Sequence, residues 1–280
     1  MGGLLKDLTQ KQEPGGERPE PRRDNPDPDA IMRVATEAGR IILESGGETY
    51  RAEDVIGALA TSMGALNTES FATPTGLMVS CEDEYGKSHS LIRRIRKRQM
   101  NLDKIAKVNE LARNVVSGSV DMDEADRLLC ELDALGSYPS PVPALGAALI
   151  TAFFCLLFGG AWNDALVAGL IGLFMGRVTR SLEYMRLSGF FINIAGGAFA
   201  AFVALAASAL GAAGNVDTVI IGSIMLLVPG VMLVNAIRDT IAGDLVAGVA
   251  RGAEVIISAA GISIGVGFAL KIWEIAGGVL

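Results

Sequence analysis

Histidine, cysteine and aromatic residues are scarce in this chain: one His, three Cys, and 6% Phe, Trp and Tyr among 280 residues. With His89 the lone histidine, a Cys/His metal cluster within one chain is excluded. Cys81, Cys130 and Cys155 are too few and too scattered for a disulfide framework or a zinc site. No metal or cofactor is therefore expected. The first 30 residues lack the apolar run of a secretory signal. A basic excess is missing too. The net charge of −7 argues against nucleic acid as a partner, because phosphate binding needs a basic surface. The one basic cluster, Arg93, Arg94, Arg96, Lys97 and Arg98, reads either as a solvated face or as a contact for anionic lipid headgroups.

Charge itself is scarce in only one half. Residues 1–141 carry 18 Lys/Arg against 24 Asp/Glu, a net −6, whereas residues 142–280 carry 6 against 7, a net −1. The first half has the composition of a soluble domain and the second that of a membrane bundle. Between Gln10 and Asp29 the prolines 14, 19, 21, 26 and 28 lie among charges and glycines, so residues 1–28 are expected to be a disordered tail.

Residues 29–137 read as an α+β domain. Ile31, Val34, Ala35, Ala38, Ile41 and Ile42 mark one face of a first helix, which stops at Ser45-Gly46-Gly47. Thr49 is placed to cap a second helix that runs to Met63-Gly64. Short runs over 65–72, 75–81 and 89–95, separated by turn residues, predict a small antiparallel sheet. Helices over 102–116 and 122–135 follow, and the proline-rich stretch 138–143 reads as a linker.

The remainder, 144–280, predicts an α-helical integral membrane bundle of five transmembrane helices, with spans near 143–160, 164–182, 189–211, 217–237 and 252–273. Each is close to the ~20 residues needed to cross a ~30 Å hydrocarbon core. Arg177, Arg180, Arg186, Arg238 and Arg251 fall in the connections on one side, and the loops around 159–163 and 211–216 carry no Lys or Arg. The positive-inside rule then places the soluble domain in the cytoplasm and the C-terminus outside, in the plasma (inner) membrane. Five is an odd number. A single copy cannot hold two equal inverted repeats, so a second small membrane subunit or a homo-oligomer is expected. Gly172-x-x-x-Gly176, Gly248-x-x-x-Gly252 and Gly261-x-x-x-Gly265 are candidates for close helix packing.

The fourth span carries the chemistry. Pro229 has no N–H to give and its ring clashes with the carbonyl of Met225, so the helix opens there, with Gly230 beside it. Broken helices in the bilayer are where secondary transporters place substrate sites. Asn235, Arg238 and Asp239 follow the break, Asp244 lies in the next loop, and Arg251 and Glu254 enter the last span. This patch reads either as a path for a small-molecule substrate, with a protonatable acid for coupling, or as an ion-pair network holding two helices. Only 12 apolar residues separate Asp164 from Arg177, so one of the two must fall within the bilayer. Arg177 is a candidate partner for a substrate carboxylate, or a residue that snorkels to the headgroups. In the soluble half, Glu44, Glu48, Arg51 and Glu53 cluster around Gly46-Gly47, as local ion pairs or as a polar site facing the pore.

Two separated motifs, Glu44-Ser-Gly-Gly-Glu-Thr-Tyr-Arg-Ala-Glu53 with Ala72-Thr-Pro-Thr-Gly-Leu-Met-Val-Ser80, and Val228-Pro-Gly-Val-Met-Leu-Val-Asn-Ala-Ile-Arg-Asp239 with Gly243-Asp244 and Arg251-Gly-Ala-Glu254, resemble the threonine/serine exporter (ThrE-like) family over roughly residues 30–270. The resemblance implies export of small amino acids or related carboxylates, driven by the proton motive force. Some members of that family fuse two membrane halves and others work as two chains, one of them implicated in dicarboxylate (succinate) export. This chain ends after five spans and looks like the larger subunit of a split exporter. A different class also fits the sequence: a membrane-tethered sensor or hydrolase-like domain, with Cys81 and His89 on neighbouring strands as nucleophile and base.

Overall fold

The computed structural model describes residues 27–83, 85–96, 98–136 and 141–278. Residues 1–26 of the stretch read as a tail therefore lie outside the described residues, as do Tyr138–Ser140 of the linker. Asp27 and Pro28 already open helix α1 (Pro28–Glu44): the Asp27 carboxylate accepts the Asp29 N–H at 3.1 Å, and Pro28 sits where a helix needs no N–H. The periodic residues Ile31 to Ile42 are all buried on its inner side. The chain leaves α1 through Gly46, whose φ of 84° is left-handed, and turns into α2 (Thr49–Ser62).

Strands β1 (Leu66–Thr73), β2 (Gly76–Glu82) and β3 (Ser88–Arg94) form an antiparallel sheet in that order. Ala72, Leu77, Val79 and Cys81 face the helices and are buried. On the other face, Phe71, Met78 and Ile92 are cross-strand partners, each at least half exposed. Helices α3 (Leu102–Val116) and α4 (Met122–Ala134) are capped by Asn101 and Asp121, whose side chains accept the N–H groups of Lys104 and Glu124. Val108, Leu111, Ala125 and Leu129 complete one core with α1, α2 and the sheet.

The second half is wholly helical among the described residues: α5 (Pro141–Leu157), α6 (Trp162–Tyr184), α7 (Gly189–Ala209), α8 (Val216–Ile224), α9 (Gly230–Ala242) and α10 (Leu245–Ile275). Pro141, Val142 and Pro143, read from sequence as linker, form the first turn of α5, where proline costs no hydrogen bond. Among the described residues α6, α7 and α10 are long and apolar enough to cross a membrane, and α5 is a shorter apolar helix. The stretch 217–237, expected to be one span, is two short helices. Pro229 is the N-cap of the second, so the ladder does break where the sequence places the break. Phe153, Leu157, Leu166, Ile256 and Phe268 are all more than half exposed, an apolar exterior that suits lipid rather than water.

Glycine sets the helix seams selectively. A Cβ on Gly265 would overlap the Ile194 carbonyl, and one on Gly261 would lie 3.0 Å from the Phe190 carbonyl, so both glycines of that motif hold α10 against α7. Gly172 meets Thr151 of α5, and Gly248 meets Thr240 of α9. Their motif partners Gly176 and Gly252 face open space. Asp164 is buried, and its carboxylate accepts the N–H groups of Ala161, Gly214 and Asn215 at 2.9, 2.6 and 3.2 Å. It therefore staples the α7–α8 loop to the start of α6, which is a structural task.

Candidate functional site

The turn between α1 and α2 reaches the polar ends of α9 and α10. Gly46 and Gly47 make that turn possible for two different reasons. Gly46 needs its positive φ, whereas a Cβ on Gly47 would lie 2.5 Å from the Ile42 side chain and 3.0 Å from its carbonyl. With no side chains in the way, both carbonyls are open to donors. Asn235 Nδ2 donates to the Gly46 oxygen at 2.9 Å, and an Arg251 terminal nitrogen donates to the Gly47 oxygen at 2.7 Å.

Asp239 completes this layer. It is fully buried and lies 3.0 Å from Arg251 Nε, while its other oxygen accepts the Thr49 N–H at 3.4 Å. Neither Asp239 Oδ2 nor Arg251 Nε makes an aligned hydrogen bond, so charge attraction alone joins those two atoms. Arg251 lies across from the C-terminal half of α9, where the helix dipole favours a cation. Thr49, expected to cap α2 with its own hydroxyl, instead donates that hydroxyl to Asp244 at 3.0 Å. Asp244 precedes α10, where a carboxylate meets the positive end of the helix.

A second layer is more exposed. Glu48 is buried and bridges two guanidinium groups: Arg238 donates to it at 2.8 Å, and Arg51 Nε lies 3.0 Å away. Burial pushes the Glu48 carboxyl up, but its own N–H, the Arg238 hydrogen bond and both arginine charges offset that and hold it below the usual range. Glu254 does not pair with Arg251 at i, i+3. It takes a two-pronged contact from Arg98, which follows β3.

The structure thus gathers Asn235, Arg238, Asp239, Asp244, Arg251, Glu48 and Arg51 into one joint, with Glu254 at its rim. Other sequence candidates lie elsewhere. Glu44 belongs to an ion-pair group with Arg40, which also contacts Glu37 and Asp133. Glu53 accepts the Ala72 N–H at 2.6 Å and ties β1 to α2, and burial raises its pKa. Arg177 is exposed, lies over the Phe174 ring at 5.6 Å and lines a separate apolar groove with Leu170, Phe199 and Val203. Pro229 and Gly230 border the joint. Gly230, Val231, Val234, Asn235 and Arg238 form one side of a half-open groove of about 650 Å³, with Gly46–Glu48, Arg51, Leu102 and Ile105 opposite. Sequence reasoning missed Thr49, Arg98 and the two glycine carbonyls; the Gly-Gly pair between two helices was the available signal.

Cys81 and His89 are cross-strand partners, but they do not form a nucleophile and base. Both His89 nitrogens are held by carboxylates, Asp29 at 3.0 Å and Asp83 at 3.2 Å, and burial with those acids pushes the Cys81 thiol up. The clamp makes a pH prediction. Hydrogen bonding to Asp29, then Asp83, raises the His89 pKa; its contribution is complete below the ordinary 6.5 and is lost as pH rises through the raised value. Asp83, lowered first by the Lys87 N–H and further by His89, contributes above 3.8 and loses its share as pH falls through its depressed value. The His89 contribution to the attachment of α1 to β3 is therefore expected to be complete below about pH 6.5, and the Asp83 contribution to the β2–β3 turn to be complete above about pH 4. Protection against hydrogen exchange at the start of α1, relative to the intrinsic rate at each pH, should fall as pH rises above about 6.5, and His89→Gln should flatten the profile.

Comparison with known proteins bears on what this joint belongs to. The chain is 28% identical to the "Threonine/serine exporter" of Corynebacterium glutamicum over 88% of its own length and 52% of that protein. It is 27% identical to the "Probable threonine/serine exporter" of Mycobacterium tuberculosis, over 65% of its length and 34% of the relative. It is 25% identical to the "Probable succinate transporter subunit YjjP" of Escherichia coli, over 89% of its length and 97% of that protein. The chain thus spans about half or less of the first two relatives and nearly all of the third. No solved structure matches it. Residues 33–273, which contain the α1–α2 turn, the broken helix and the whole joint between them, match the family described as "Putative threonine/serine exporter", and the chain belongs to that family of membrane transport proteins.

Proposed function

We propose that this chain is a transporter subunit that exports small amino acids of the threonine/serine kind, or related small carboxylates, using the proton motive force. The observation that carries this reading is the groove along α9, which runs from the Pro229–Gly230 break to the arginines at the soluble domain. The break supplies a bend, and Arg51 and Arg238, both lining the groove, supply donors for a carboxylate. Asp239, buried between Arg251 and Thr49, is the acid whose protonation would couple transport to the gradient. In this reading α5, α6, α7, the α8–α9 pair and α10 are five spans, the α+β domain is cytoplasmic, and the C-terminus lies outside. The distribution of Arg along the loops supports that orientation.

The near-complete overlap with the YjjP relatives supports a split exporter in which a second small membrane subunit, or a further copy, completes the path, and it makes a dicarboxylate such as succinate the alternative cargo. The environment of Cys81 and His89 weighs against the tethered-hydrolase alternative.

Efflux of preloaded labelled threonine, serine and succinate tests the proposal, in cells making this chain with and without a candidate second subunit. Efflux of one of them that collapses with an uncoupler and with Asp239→Asn is the expected result. No efflux of any, with both chains inserted, would end the exporter reading. Pro229→Ala should lower flux at least tenfold with insertion unchanged, because alanine lets α8 and α9 join. Gly230→Ala should do less: a Cβ there meets nothing within 4 Å, so the break rests on the proline.

A further inference from the structure

The charged residues lining the α9 groove are Glu48, Arg51 and Arg238. One carboxylate stands between two guanidinium groups, so this end of the groove carries one net positive charge. Arg51 and Arg238 are both part exposed, with side-chain exposures of 41% and 56%, so each presents further N–H donors to the groove. Arg51 Nε is itself buried against Glu48 at 3.0 Å, so the donors Arg51 turns to the groove are those at its exposed end. Glu48 in contrast is buried, with its two oxygens engaged separately. Of the neighbouring charges, Asp239 with Arg251 and Arg98 with Glu254 cancel in pairs, Asp54 lies near Arg51 and Asp244 holds the Thr49 hydroxyl, and none of these lines the groove.

We infer that Glu48 is the charge-selecting residue of the groove: held between the two arginines, its charge offsets one of theirs and sets how many carboxylates a ligand can bring to them. This inference rests on the exporter reading of the groove and adds a rule for what the groove accepts. With Glu48 present, its negative charge eases the repulsion between the arginines and a zwitterion's ammonium, and a dicarboxylate meets two arginines already partly neutralised. Without it, the zwitterion's ammonium faces only cations, and the dicarboxylate gains both guanidinium groups. Removing one arginine acts in reverse. The carboxylate of Glu48 then neutralises the remaining cation, and a second carboxylate on the ligand meets repulsion.

The test measures binding of threonine and succinate to the purified full chain in nanodiscs, for wild type, Glu48→Gln, Arg51→Gln and Glu48→Asp. The expected result is a succinate-to-threonine affinity ratio raised at least tenfold by Glu48→Gln and lowered at least tenfold by Arg51→Gln. Glu48→Asp, which keeps the charge, should retain the wild-type ratio. A ratio that stays put in both Gln variants, or that moves the same way in both, overturns the assignment. So does a Glu48→Asp variant that shifts as far as Glu48→Gln, since that would make the effect one of packing. Absence of binding of either compound to wild type, alone and together with the second subunit, would instead remove the exporter reading itself, so the two failures are distinct.

Discussion

Arg251→Ala is expected to abolish efflux and to destabilise the solubilised protein by about 3–5 kcal/mol, the usual consequence of stripping one partner from a buried ion pair. Arg251 is only 5% exposed and Asp239 not at all, so the carboxylate would be left charged and unmatched away from water. The Gly47 carbonyl would lose its donor in the same step. Lysine should not rescue, because one guanidinium reaches Asp239 and Gly47 at once and a compact ammonium cannot take both directions. The double variant Asp239→Asn/Arg251→Met should regain much of the stability and none of the transport. Chemical denaturation followed alongside efflux separates the two losses. A double variant no more stable than Arg251→Ala would show that the pair is not what the alanine disrupts.

Gly47→Val should come next in size, at about 1–3 kcal/mol from overpacking, with loss of the joint to α9 and α10. The added branches would strike Ile42 and push the turn off Arg251. Limited proteolysis should then release the N-terminal helices and sheet more readily than in wild type. Gly57→Ala provides the opposite sign within α2. A Cβ at Gly57 meets nothing within 4 Å, so the change should stabilise by about 1 kcal/mol through helix propensity. If both substitutions moved stability the same way, the close approach at Gly47 would not be what fixes the turn.

Local features of this fold were legible in the sequence because their causes are local. The apolar spacing from Ile31 to Ile42, the turn residues between the strands and the proline at 229 each act within a few residues. The joint was legible only in part. Asn235, Arg238, Asp239 and Arg251 stood out as polar groups beside apolar spans, but their partners lie about 190 to 204 residues away in the chain. Two of those partners are backbone carbonyls, which every residue owns and no composition reveals. Helical spacing sets Glu254 one turn from Arg251, yet Arg98, far away in the chain, takes it. The Gly-x-x-x-Gly motifs failed in halves for a similar reason: spacing marks a face, and only the neighbouring helix decides whether the face is used.

Helix α10 is one unbroken element of 31 residues, clamped to α7 at Gly265 and gripping the α1–α2 turn at Arg251. Fourteen residues separate those two points, a rigid arm of about 21 Å. Rocking that arm by ~10° about its clamp carries the guanidinium through about 4 Å on this geometry, farther than any hydrogen bond in the joint spans. The N-terminal helices and sheet therefore cannot stay latched through a rocking motion of even this size: they must travel with the helix or let go.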